Sequence, residues 1–290
     1  MARLTLAGTA VVGGVGLHSG REVTARCSAG LPGQGIVFKR VDLPGTPVIP
    51  ARIAEVQSTD RRTVLGQGDA AIQTVEHLLA ATAALGLDDL SVELDGPEPP
   101  IGDGSFLPFL EALMEAGVRE TPGEPVIYRV TTPFQLSEGD STYVVAPARS
   151  LRLTTTIEWA HPLIGRQSGA YDITPEEFTR ELAGARTFGF LREAEALRSR
   201  GLALGAALDS TLVLSEDGLV GDASLRWPDE FVRHKTADIL GDLALVGGRI
   251  QAHVIATRPS HQGNIALARW LTRTAQRDGA WRWTSAGSST

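Results

Sequence analysis

Two histidine–carboxylate pieces of this 290-residue chain have spacings suited to metal chemistry. The first lies in a segment predicted to be helical from roughly Glu230 to Val246, where His234 and Asp238 are four residues apart. That spacing stacks both side chains on one helix face. An imidazole and a carboxylate so placed can bind Zn²⁺, which takes N and O ligands at ~2.0–2.2 Å. A solvated helix face carrying an i,i+4 pair is the plainer alternative. Asp242 continues the stripe by one turn, while Val232, Ile239, Leu240 and Leu243 fall on the adjoining face and suit a core contact.

The second piece is Glu76-His77, predicted to lie in the first turn of another helix. Adjacent helical residues point ~100° apart, so the two cannot both be ligands along one stripe. At a helix end, however, one can bind a metal while the other reaches the water beside it. A catalytic zinc keeps three protein ligands and one open position, and a neighbouring carboxylate is then a candidate general base. An acidic residue in a first turn next to a polar histidine is the alternative.

The elements that must position these residues are short. From Leu4 to about Val56 the chain reads as β segments, such as Glu22–Cys27 and Ile36–Arg40, broken by Pro32-Gly33 and Pro44-Gly45. A helix is predicted from an N-cap at Thr74 to about Leu85, stopping at Gly86. Leu90–Leu94 alternates as a strand, and Phe106–Ala116 reads as a helix ending at Gly117. Thr121-Pro-Gly-Glu-Pro125 is the linker candidate. Beyond it, strands are predicted at Val126–Val130, Thr142–Ala146, Leu151–Ile157 and Gln251–Thr257. Helices are predicted at Pro175–Leu182, Glu230–Val246 and Gly263–Ala275. One β-then-helix plan used twice gives an α/β (α+β) chain with an N-terminal domain over 1–121, a C-terminal domain over 126–275 and a polar, fraying tail over 276–290.

Composition narrows the functions available. A formal charge of −7 provides no broad basic surface, so a nucleic-acid partner lacks electrostatic support. Cys27 is the only cysteine, which rules out an intrachain disulfide and a Cys-rich zinc site and leaves His, Asp and Glu to hold any metal. Leu4 to Leu17 superficially resembles a secretory h-region, but Gly8, Gly13, Gly14 and Gly16 interrupt it in the manner of a short strand entering a tight turn. No run approaches the ~18–20 apolar residues of a membrane span, and a reducing cytoplasm is the expected location.

The surroundings of the two pieces go further. Gln73-Thr-Val-Glu-His-Leu-Leu-Ala80, Asp229-Glu-Phe-Val-Arg-His-Lys-Thr-Ala-Asp238 and Gly241-Asp-Leu243 resemble signature stretches of bacterial UDP-3-O-acyl-N-acetylglucosamine deacetylases, which act in lipid A synthesis. Gly14-Val-Gly-Leu-His-Ser-Gly20, Gly96-Pro-Glu-Pro-Pro-Ile-Gly-Asp-Gly-Ser105, Ala185-Arg-Thr-Phe-Gly-Phe190 and Arg200-Gly-Leu202 follow in family order, across about residues 3–275. The resemblance implies two similar domains with the active site between them. It implies His77, His234 and Asp238 as zinc ligands and Glu76 as the base. His261 becomes a cationic second histidine oriented by Asp242, Lys235 a cation near the site, and Thr187 a hydroxyl for the tetrahedral oxyanion.

On the substrate side, the resemblance implies that Phe188–Leu214 forms an apolar passage for the 3-O-acyl chain, with Phe188, Gly189, Leu191 and Ala203 among its contacts. Residues alone allow a core helix and strand there instead. Phe190 would pack on the glucosamine ring and Arg258 would lie near the diphosphate of the UDP moiety. Departures from the family pattern also fall on this side: Ser141 replaces a lysine, Ala206 a glycine, Gly221 an asparagine, and Pro259 alters the loop before His261. A related deacetylase for another amino sugar, and a non-catalytic sugar-nucleotide binder, are the alternative readings. The intact Glu76, Asp242 and His261 argue against the latter, and the small-molecule enzyme is expected to be monomeric.

Overall fold

The computed structural model describes residues 2–278 and has a mixed α+β architecture. In the first half, five strands order as Ala10–Val15, Glu22–Ala29, Leu90–Leu94, Ile36–Arg40 and Val48–Pro50. All neighbours are antiparallel except Ile36–Arg40 with Leu90–Leu94, so the chain must cross over between those two. The crossover carries a small antiparallel meander, Val56–Ser58, Val64–Leu65 and Ile72–Gln73, and then the helix Glu76–Ala84. Alternation explains the sheet. In Glu22–Ala29, Val23, Ala25 and Cys27 are buried while Glu22 and Arg26 face solvent.

The second half is built on Arg249–Thr257, whose odd positions are more exposed and whose even positions Ile250, Ala252, Val254 and Ala256 are buried. It pairs in parallel with Leu151–Trp159 and Ile127–Arg129 and antiparallel with Ser141–Ala146. Phe134–Glu138 and Gly165–Asp172 extend the sheet. Helices Glu230–Leu243 and His261–Thr274 flank this central strand in sequence. Buried apolar residues of both halves, including Leu78, Leu79, Leu240, Leu243 and Leu267, join in one core cluster.

Two expectations and one alternative reading need correction. Thr74 is not a helix cap: its φ of 54° is left-handed, its hydroxyl donates to Glu98 Oε1 at 2.5 Å, and Val75 opens the helix without a side-chain cap. The apolar stretch Leu202–Leu208 is not a core helix. Gly201 and Ala203 take positive φ and break it into turns, and the preceding helix Leu191–Ser199 buries none of its residues. Gln276–Asp278 does not fray but pairs antiparallel with Ile127–Arg129, with Arg129 Nη1 2.9 Å from Asp278 Oδ2. The remainder of the expected polar tail, 279–290, lies outside the described residues.

Candidate active site

Two helices from distant parts of the chain meet at the centre, the N-terminus of Glu76–Ala84 packing closely against Glu230–Leu243 at Gly241. Gly241 permits this contact: a Cβ there would lie 2.1 Å from the Glu76 carbonyl oxygen. The close approach brings His77 to His234 and Asp238, whose ligand atoms all lie within 4.8 Å of one another. Asp238 Oδ1 is 3.5 Å from His234 Nε2 and 4.0 Å from His77 Nε2. Donors at the corners of a tetrahedron of ~2.0–2.1 Å radius are ~3.3 Å apart, so the triangle is close to coordination size.

The protonation pattern fits a cation as well. His234 Nδ1 sits 3.0 Å from the Ala185 carbonyl, which requires the Nδ1–H tautomer and leaves the Nε2 lone pair facing the triangle. Burial, with His234 second, drives the His77 pKa down to about 3, and burial likewise lowers that of His234, so both imidazoles are neutral. Burial opposes ionisation of Asp238, but the basic groups around it, of which Lys235 and His261 stay charged, hold its carboxyl far below the usual range. Its Oδ2 accepts from Lys235 Nζ at 2.7 Å, whereas Oδ1 is buried with no hydrogen-bond partner. Such a buried, charged oxygen between two neutral imidazoles is costly until a cation fills the gap. The donor set therefore fits a divalent metal.

Beside the triangle is a second pair of groups. Glu76 Oε1 lies 3.8 Å from His261 Nε2, and His261 Nδ1 lies 2.8 Å from Asp242 Oδ2. Burial raises the Glu76 pKa strongly. Burial opposes the charge on His261, yet Asp242 and Glu76 push its pKa up to about 9, so it is a cation at neutral pH. His261 opens its helix behind a Ser260 cap, whose hydroxyl accepts from Gly263 N. A relay then fixes its partner: Tyr143 Oη donates to Asn264 Oδ1, and Asn264 Nδ2 donates to Asp242 Oδ2. A base-competent carboxylate and an imidazolium thus face one another next to a candidate metal position.

The other expected residues are placed around this centre. Lys235 is largely buried against Asp238. Thr187 and Phe188 follow Ala185, the residue whose carbonyl holds His234, and Phe188 is 6.3 Å from the His234 ring. Gly189 has open space about its α-carbon, and Leu191 is half exposed. Phe190 is buried in a satellite cluster with Ile157, Leu212 and Phe231, against which Phe188 also packs. Ala203 donates its N–H to His18 Nδ1, and Arg258 is exposed, with its Nε 4.0 Å from Glu158. Ser141 is buried and its hydroxyl bridges the Arg258 carbonyl and Ser260, so it shapes the loop ahead of His261.

Sequence reasoning missed several supports. Phe106 packs its ring 4.5 Å from His77 and 5.1 Å from His234, but reads in sequence as a plain helix-start aromatic. Glu98 is wholly buried, accepting from the backbone N–H groups of His18 and Ser19 as well as from Thr74; nothing about a lone acid between prolines signals burial. Glu230 accepts from Arg186 Nε and from the Arg186 and Arg226 N–H groups, locking the segment that follows Ala185 to the helix carrying His234.

The family model described as LpxC, UDP-3-O-acyl N-acetylglycosamine deacetylase, matches residues 3–273. A protein of Thermosynechococcus vestitus named UDP-3-O-acyl-N-acetylglucosamine deacetylase is 45% identical over 271 residues, covering 93% of each chain. Proteins of the same name from Myxococcus xanthus and Bdellovibrio bacteriovorus are 43% and 42% identical, covering 91% and 92% of this chain and 84% and 89% of their own. With a family match over nearly its whole length and a buried His-His-Asp group able to hold a metal, the chain belongs to the UDP-3-O-acyl N-acetylglycosamine deacetylase family.

Proposed function

We propose that this protein is a zinc-dependent amidohydrolase that removes the N-acetyl group of UDP-3-O-acyl-N-acetylglucosamine and releases acetate, the committed step of lipid A biosynthesis. The observation carrying the proposal is the buried His77–His234–Asp238 triangle set beside Glu76 and His261. When bound there, zinc supplies Lewis acidity and brings the pKa of water to about 7. Glu76 takes the proton of the attacking water, and cationic His261, charged by Asp242, gives a proton to the departing amine nitrogen. Thr187 donates to the developing oxyanion, and Lys235 holds the Asp238 carboxylate in its ligating orientation. The products are acetate and the free 2-amino sugar nucleotide.

Phe188, Gly189, Phe190, Leu191 and Ala203 are assigned to the acylated sugar and Arg258 to the diphosphate. The nearness of Phe188 to His234 and the tie between Ala203 and His18 support this assignment. The chain is read as two halves, 1–121 and 126–275, with the strand Gln276–Asp278 added to the second. It is read as monomeric and cytoplasmic; the single cysteine, buried and free, fits a reducing compartment.

One observation favours attention to a second substrate. Ser141, where a lysine was expected, is buried in the loop network and offers no charge to a diphosphate. Acetate release from UDP-N-acetylglucosamine with and without a 3-O-hydroxyacyl chain decides between the two. A strong preference for the acylated compound is expected. Equal rates would assign the enzyme to another amino-sugar substrate.

A further inference from the structure

Thr63 is fully buried at the edge of the active site, yet nothing in the reaction described above uses it. It directly precedes the strand Val64–Leu65, which pairs with Ile72–Gln73 in the register Val64↔Gln73. The second of those strands runs into the helix that begins at Glu76. The meander therefore returns Thr63 to the first turn of the helix carrying the general base. There its backbone N–H donates to Glu76 Oε2 at 3.2 Å. Its hydroxyl donates to Asp242 Oδ1 at 2.6 Å, across 179 residues of sequence.

These two bonds divide the labour of the carboxylates. Asp242 Oδ2 is taken by His261 Nδ1 and Asn264 Nδ2, so among the described residues the Thr63 hydroxyl is the one side-chain donor given to Oδ1. With Oε2 of Glu76 held by the Thr63 N–H, Oε1 is the oxygen left toward His261 Nε2. A single residue thus joins the base on one helix to the Asp242–His261 couple on two others. Two buried carboxylates so close repel one another, and a donor placed on each offsets that repulsion.

We propose that Thr63 is a positioning residue for deacetylation, its hydroxyl and N–H fixing the relative orientation of Glu76 and the Asp242–His261 couple. This rests on the reading of Glu76 as base and His261 as acid. The hydroxyl, and not the shape of the side chain, carries the Asp242 contact. Thr63→Val keeps the volume and removes the donor; Thr63→Ser keeps the donor and removes a methyl.

The test is steady-state deacetylation by zinc-loaded enzyme, with rates normalised to bound metal. For Thr63→Val, kcat is expected to fall about 10–100-fold, the loss of one hydrogen bond to a charged group, with KM within about threefold of wild type. Thr63→Ser is expected to recover most of kcat. Should Thr63→Val fail to fold, Thr63→Ala against Thr63→Ser makes the same comparison. A hydroxyl-free variant with near-wild-type kcat overturns the proposal, as does a serine variant no better than valine. Glu76→Gln, measured alongside, separates the two levels: its retention of full turnover would sink the underlying assignment of the base, whereas an inactive Glu76→Gln with an active Thr63→Val sinks the positioning role alone.

Discussion

Asp238 Oδ1, buried without a hydrogen-bond partner between two neutral imidazoles, is the single atom that most requires a cation. Asp238→Ala is accordingly expected to lose bound metal, measured by elemental analysis of the purified protein. Glu76→Gln should keep about one equivalent of metal while turnover falls about 10²–10⁴-fold, the range for removing a general base. The pH dependence follows from the same cluster. Glu76, raised by burial, must lose its proton, so activity rises on the acid side; His261, raised to about 9 chiefly by Asp242, must keep its proton, so activity falls above that value. Because the two groups face each other, the limbs belong to the pair. Asp242→Asn removes the largest charge favouring the imidazolium, so the alkaline limb should move to lower pH. At this scale the ligands were legible because HxxxD and Glu-His carry their own geometry. Thr63 and Glu98 were not, because a neutral hydroxyl and a lone acid carry no spacing signal, and their partners lie 179 and 80 residues away.

The close packing of the two helices depends on the residue at position 241. In a helix interior, Ala in place of Gly normally gains about 1 kcal/mol. Here the added methyl would sit 2.1 Å from a main-chain oxygen that belongs to the first turn of the other helix, so the helices must separate. Gly241→Ala is expected to lower the melting temperature instead of raising it and to weaken metal retention; a gain in stability with full activity would show that the helices tolerate separation. The stripe of His234, Asp238 and Asp242 and the apolar face of Val232, Ile239 and Leu243 were both readable from periodicity, since tertiary packing here agrees with the 3.6-residue repeat. The start of the Glu76 helix was misplaced by one signal, the threonine at 74. Its hydroxyl serves the buried Glu98 carboxylate, a long-range demand that outweighs local capping.

Across the molecule, the segment after Phe190 connects the two halves. Its helix Leu191–Ser199 is held from the first half by Arg61 to Glu193 at 2.9 Å, and Arg200 pairs with Asp60. The following turn donates Ala203 N to His18 Nδ1 and Gly205 N to the Leu17 carbonyl. Few of these bonds could be foreseen, because the apolar run Leu202–Leu208 has strong hydrophobicity without a period, and its conformation is set by the surface it meets. The broad α+β plan was legible from short alternating strands and from helical stretches stopped by glycine at Gly86, Gly117 and Gly247. The continuity of the core through the packed helices was not. If this segment receives the acyl chain, each added CH₂ buried should tighten binding by up to about fourfold, from about 0.8 kcal/mol per group. KM across a series of 3-O-acyl lengths measures that slope, and a flat series would remove the segment from substrate binding.

The most direct measurement is an anomalous-difference map, collected at the zinc absorption edge from crystals of the purified protein. One peak is expected, within about 2.0–2.2 Å of His77 Nε2, His234 Nε2 and an Asp238 carboxylate oxygen, with Glu76 beside an open coordination position. Zinc-loaded, active enzyme showing no peak inside that triangle, or a peak held by other residues, would contradict the assignment.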